Sequence, residues 1–142
     1  MQQLSLFGDD VNLNIAPRPY HKELQDLYDY AKEQSYRWWN RKFDIQIVLT
    51  SADWRRQNGC YIHYTDNSRP PFIKMSAVKN ARRSKEEVYK TLLHELVHWH
   101  MHTSGLPCKD TDEDFVRECI RVGAPISGTK IAREALRKTM NI

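Results

Sequence analysis

The sequence predicts an α+β fold: an N-terminal helix, a small β-sheet, a motif-bearing helix and return helices. Three observations lead there. Between Tyr20 and Trp39, the residues Leu24, Leu27, Tyr28, Ala31, Ser35, Trp38 and Trp39 recur at threes and fours, the spacing of one helical face. Phe43, Ile45, Ile47 and Leu49 then alternate, which switches the period to two and predicts a strand. From about Ser84 the helical spacing resumes.

The remaining elements follow in order. Residues 1–19 have short apolar content broken by Gly8, Asp9, Asp10, Asn12, Asn14, Pro17 and Pro19, so a flexible leader is expected before a domain spanning 20–142. Asn58-Gly59 is a turn candidate, and Cys60 to Tyr64 reads as the next strand. After Arg69-Pro70-Pro71, the run Phe72-Ile73-Lys74-Met75 completes a small sheet. Ser84 and Glu87 have capping-box spacing, and Val88, Leu92, Leu93, Leu96 and Val97 form an apolar stripe, which predicts a helix from Ser84 to His102. Gly105-Leu106-Pro107 should stop it. Thr111 or Asp112 could cap a return helix running through Val122, with Phe115, Cys119 and Val122 buried and Glu118 on the border. From Thr129 to Met140, Ile131, Leu136 and Met140 with Arg133, Arg137 and Lys138 predict a short amphipathic helix that closes the domain or lies near nucleic acid.

Composition sets limits. A chain of 142 residues is about the size of one ordinary domain. A net charge of +4 leans towards an acidic partner such as nucleic acid, without demanding one. Cys60, Cys108 and Cys119 are too few and too scattered for a four-thiolate zinc module or a disulfide framework, and are expected to be reduced core thiols. No apolar run approaches the roughly 20 residues that cross a bilayer, and Met1-Gln2-Gln3 lacks the flank of an export signal. The expectation is a soluble protein of the cytoplasm of a bacterium or a phage-infected bacterial cell.

The helix from Ser84 carries His94-Glu95-Leu96-Val97-His98. Two histidines four residues apart are separated by about 6 Å along a helix axis, so both imidazoles can reach one metal ion. Glu95 projects about 100° away and can address water on that ion without ligating it. Zinc lowers the pKa of its water towards about 7, so Glu95 can take a proton as the water attacks a peptide carbonyl and return one to the departing amine. The expectation is a zinc metalloendopeptidase with His94 and His98 as ligands and Glu95 as catalytic base.

A catalytic zinc normally has a third protein ligand. His102 lies about 12 Å along a straight helix from His94, too far to share the ion with both, and is expected at the pocket edge, as a partner of a group that does touch the ion, or exposed. His100 points off that stripe towards the surface. Glu118, 20 residues beyond His98, is the favoured third ligand if a loop and return helix bring it back; Asp112, Glu113 and Asp114 are the alternatives, each also explicable as a first-turn acid favoured by the helix dipole.

Residues 20–123 resemble the SprT-like domain, a group that includes proteases acting on DNA–protein crosslinks. The resemblance rests on the aromatic-rich helix ending Trp38-Trp39-Asn40, the following hydrophobic strand, Asn58-Gly59-Cys60-Tyr61, Phe72-Ile73-Lys74-Met75 and Thr91-Leu92-Leu93-His94-Glu95-Leu96-Val97-His98. It implies a zincin-like metallopeptidase domain. Members usually carry the third histidine in a His-Gly-x-x-Phe segment; here Phe115 matches the phenylalanine, but Thr111 and Asp112 occupy the histidine and glycine positions. The departure leaves the metal triad open and makes an acidic third ligand the economical repair. The chain also lacks the four-cysteine zinc ribbon of some relatives. The spacing of His94, His98 and His102 also resembles the ImmA/IrrE metallopeptidases, which have a third histidine one turn beyond the pair and a downstream glutamate as ligand; it implies repressor cleavage as an alternative function, although their usual upstream sequence fits less well.

Gln3-Leu4-Ser5-Leu6-Phe7 looks like the short peptide by which bacterial replication and repair proteins bind the sliding clamp. Leu4, Leu6 and Phe7 would be the apolar anchors and Gln3 a directional amide. Basic clusters at Arg37, Arg41 and Lys42, at Arg55 and Arg56, and at Lys79, Arg82, Arg83 and Lys85 could meet phosphate, with Trp54 available to stack on a base. The leading expectation is a zinc endopeptidase recruited through the clamp to proteins on or near DNA. The alternative from a different class is a catalytically silent clamp adaptor with structural zinc.

Overall fold

In the computed structural model, residues 24–51, 54 and 57–140 are described. Gln3, Leu4, Leu6 and Phe7 lie outside them, as do Arg55 and Arg56. The elements run α1 (Leu24–Trp39), β1 (Gln46–Thr50), β2 (Gly59–Ile62), β3 (Phe72–Ser76), α2 (Ala77–Asn80), α3 (Lys85–Thr103), α4 (Glu113–Val122) and α5 (Lys130–Met140). They form a small α+β domain with an N-terminal helix and a three-stranded sheet.

The sheet order is β1-β3-β2, with β1 parallel and β2 antiparallel to β3. The alternation that begins at Phe43 predicts a longer β1 than is found. In the register that pairs Gln46 with Phe72, residues upstream of Gln46 would meet Pro70 and Pro71, which cannot complete a ladder because proline lacks an N–H. Phe43 is still buried, packed edge-on against Trp99 with ring centroids 5.3 Å apart. Asn58-Gly59 is likewise no hairpin turn, since β3 separates β1 from β2 and Gly59 opens β2. A Cβ on Gly59 would sit 2.8 Å from Met75 Sδ and 3.1 Å from Thr91 Cγ2, so the missing side chain is what lets β2 lie close against α3.

Helix α3 begins as its sequence predicts. Ser84 Oγ accepts from the Glu87 N–H and the Glu87 carboxylate accepts from the Ser84 N–H, satisfying two end donors. Leu92, Leu96, Val97 and Trp99 on this helix are fully buried, so it forms the centre of the core between α1, β2 and α4. Gly105 has φ 74° just beyond it and Gly123 has φ 82° after α4, both left-handed turns that glycine adopts without strain. The short α2, capped by Ser76 Oγ on the Lys79 N–H at 3.1 Å, has no forerunner in the sequence reading.

The apolar face of α5 differs from the expected one. Ala132 and Ala135 are buried, whereas Ile131 is 61% and Met140 70% exposed. Small side chains let the α5 backbone approach α4 closely, and that favours the alanine face over the larger one.

Candidate metal centre

His94 and His98 sit one turn apart on α3, and the return loop before α4 places Asp110 against both. His94 Nε2 and His98 Nε2 lie 2.9 and 3.0 Å from the same Asp110 oxygen, Oδ1. One donor atom from each of these three residues falls within 4.8 Å of the others. The remaining nitrogen of each ring is also committed: His94 Nδ1–H donates to the Pro125 carbonyl and His98 Nδ1–H to the Cys108 carbonyl, both at 2.6 Å. Protonation at Nδ1 turns each Nε2 lone pair towards Asp110.

Those donors fit a cation. Two imidazole lone pairs and a carboxylate oxygen converge with no hydrogen between them unless the rings become imidazolium, so the group requires positive charge at its centre. A metal ion supplies that charge to all three at once. Contacts of 2.9–3.0 Å are also within a few tenths of the about 3.3 Å edge of a tetrahedron with bonds near 2.0 Å. Hydrogen bonds from His94 and then His98 hold the Asp110 carboxyl well below the ordinary range. Burial disfavours charge on His94, but the contacts with Asp110 and Cys119 override it and raise its pKa well above the usual value. Asp110 remains 46% exposed while both histidines are mostly covered, so solvent reaches the cluster mainly at the carboxylate.

Glu95 lines the same region. It is buried at 6% exposure, which pushes its carboxyl pKa up against the lowering influence of His94, His98 and the Tyr61 N–H that donates to it. Above it runs a cleft of about 630 Å³, lined by β2 on one side and by the Cys108–Asp110 and Pro125–Gly128 loops on the other. Phe115 of α4 backs the centre, stacked on His98 and edge-on to His94.

Glu118, the expected third ligand, is not in the cluster. Its carboxylate accepts from Trp39 Nε1 at 2.6 Å and from Arg121 through Nε at 2.8 Å and Nη2 at 2.6 Å. It faces α1, on the side of α4 away from the histidines, because the helix turns Phe115 and Cys119 towards them. The other candidates are also occupied. Asp112 accepts from the Lys109 N–H at 2.9 Å, Glu113 pairs with Lys138, and Asp114 with Arg117. His102 lies beside Tyr61, its Nδ1 2.8 Å from the phenol oxygen, and stacks on His63. His100 is half-buried rather than out at the surface: its ring stacks on Trp39 at 4.5 Å and its Nδ1 accepts from Arg41.

Asp110 was not among the acids weighed, because those were sought on the return helix and Asp110 lies in the loop before it. The available signal was an acid one residue before Thr111, the position at which similar proteins carry histidine. Two of the basic residues considered for phosphate are engaged inside the fold. Arg41 bonds His100 and Thr103 and covers the Trp99 ring, and Arg83 donates to Asn80 and Thr91.

Over 53 residues, 37% of this chain, the sequence is 44% identical to proteins named SprT-like from Staphylococcus aureus strains JH9, Newman and JH1. The similarity is to SprT-like proteins. The matched stretch covers 35% of the length of those relatives. No family model matches the chain, and no solved structure matches it. The partial match and the His94-His98-Asp110 group together support a metallopeptidase. The N-terminal helix, small sheet and helix-borne histidine pair are consistent with a zincin-like fold. No helix among the described residues is long and apolar enough to cross a membrane.

Proposed function

We propose that the protein is a zinc endopeptidase in which His94, His98 and Asp110 hold the metal and Glu95 is the general base. The observation behind this is the shared Asp110 oxygen, flanked by two imidazoles whose outer nitrogens are fixed by backbone carbonyls. Zinc, when bound, acidifies a coordinated water to a pKa of about 7 and polarises a peptide carbonyl. Glu95, held by the Tyr61 N–H beside the histidines, accepts a proton from the attacking water and passes one to the leaving amine. The exposed flank of Asp110 and the adjoining cleft admit an extended substrate segment.

The substrate reading is a protein on or near DNA, including DNA–protein crosslinks, with recruitment to the bacterial sliding clamp through Gln3, Leu4, Leu6 and Phe7. Its supports are the similarity to SprT-like proteins and the leader sequence. Repressor cleavage of the ImmA/IrrE kind is disfavoured by the third member of the cluster, which among the described residues is Asp110 and not a downstream glutamate.

Glu95→Gln tests the catalytic assignment. Zinc stoichiometry should be unchanged and hydrolysis of an unfolded protein should fall by about 10²-fold or more, the scale of general-base catalysis. Full activity in the zinc-loaded variant rejects the mechanism; zinc retained without cleavage in either form supports the adaptor alternative.

A further inference from the structure

Strand β2 lies along α3, and its contacts with that helix place Tyr61 between two functions. Gly59 packs against Thr91, three residues before His94. The Tyr61 N–H donates to Glu95, and the Tyr61 hydroxyl reaches His102 Nδ1 at 2.8 Å. One residue therefore fixes the base with its backbone while its side chain borders the cleft. Its ring lies nearly parallel to that of His98, at 5° with centroids 6.5 Å apart, so the phenol stands beside the metal ligands without being one.

We propose that Tyr61 is a catalytic residue, its hydroxyl donating a hydrogen bond to the substrate carbonyl oxygen as that oxygen becomes anionic, and that His102 is the positioning residue that holds the hydroxyl there. The inference rests on the peptidase reading. When His102 carries its proton on Nδ1, it donates to the phenol oxygen and leaves the phenol proton free for the substrate. Stacking of His63 on His102, with centroids 3.9 Å apart, limits rotation of the imidazole out of this arrangement. Burial, followed by the neighbouring His63, lowers the His102 pKa. A preorganised donor at a developing oxyanion contributes on the order of 10²–10³-fold in rate. The arrangement also gives the third histidine of the helix series a task that metal ligation does not.

The test compares zinc-loaded wild type, Tyr61→Phe, His102→Ala and His102→Asn for turnover of a fluorogenic peptide and for binding of a phosphinic peptide, a tetrahedral anion that needs no turnover. Tyr61→Phe keeps the ring and the N–H to Glu95; it should lower kcat by about 100-fold, leave KM within about threefold and weaken phosphinate binding by a factor similar to the kcat loss, at unchanged zinc stoichiometry. His102→Ala should lower kcat by about tenfold, and His102→Asn, which retains an amide donor near the Nδ1 position, should recover most of it. Wild-type kcat and phosphinate affinity in Tyr61→Phe overturn the assignment while leaving the peptidase reading standing. Neither cleavage nor phosphinate binding by zinc-loaded wild type overturns that reading and this role with it.

Discussion

Phe115 lies flat against His98, the ring centroids 4.1 Å apart at an interplanar angle of 19°, and meets His94 edge-on at 5.3 Å. The return helix thus packs directly on both imidazoles and ties the candidate metal centre to the core.

Replacing Phe115 with alanine should cost about 3–5 kcal/mol of stability, since the ring is fully buried and leaves a large void. Because the void opens beside both histidines, zinc affinity should fall as well, by about tenfold, the lower end of the effect of losing a ligand-orienting contact. Chemical denaturation and a competitive zinc titration read the two effects separately. Loss of stability with unchanged zinc affinity would show that the ring packs without positioning the ligands.

Glu118 gives a pH prediction. Burial raises its pKa, but hydrogen bonds from Arg121 and Trp39 outweigh that and set the folded value below the ordinary one. A depressed folded pKa stabilises the protein above the unfolded value, about 4.5, and that contribution is lost as pH falls through the folded value. Glu118→Gln should therefore lower the melting temperature at pH 7, with the difference from wild type shrinking below about pH 4.5. Zinc stoichiometry should not change. A difference that widens in acid would contradict the assignment.

The leader should bind a bacterial sliding clamp independently of the metal. A peptide of residues 1–10 should bind without zinc, and Leu6→Ala with Phe7→Ala should remove most of the affinity, because buried apolar anchors dominate such contacts. Calorimetric titration against purified clamp is the check. Equal affinity of both peptides would eliminate these anchors.

The helices and the histidine pair were legible because local rules specify them. The Ser84–Glu87 box and the stripe from Val88 to Val97 required no knowledge of the rest of the chain. What escaped depended on partners distant in sequence. Whether Glu118 faces a metal or Trp39 is decided by the rotation of α4 once Phe115 settles on His98, and no periodicity encodes that rotation. Asp110 lies in a loop, where spacing has no fixed geometry. The alternation through Phe43 was genuine, yet the ladder waits for Gln46 because its partner strand begins only after two prolines. On α5, tight packing against α4 favoured Ala132 and Ala135 over the larger residues.

The claim that Asp110 completes the metal site is tested most directly by zinc titration of wild type, Asp110→Ala and Glu118→Ala, with a chromogenic chelator as competitor. On the proposed ligand set, one zinc per chain is expected in wild type and Glu118→Ala at similar affinity, and a loss of at least about 100-fold in Asp110→Ala, beyond the 10–100-fold typical of an outer partner. Retention of wild-type affinity by Asp110→Ala together with its loss in Glu118→Ala would contradict the account and return the third ligand to the helix.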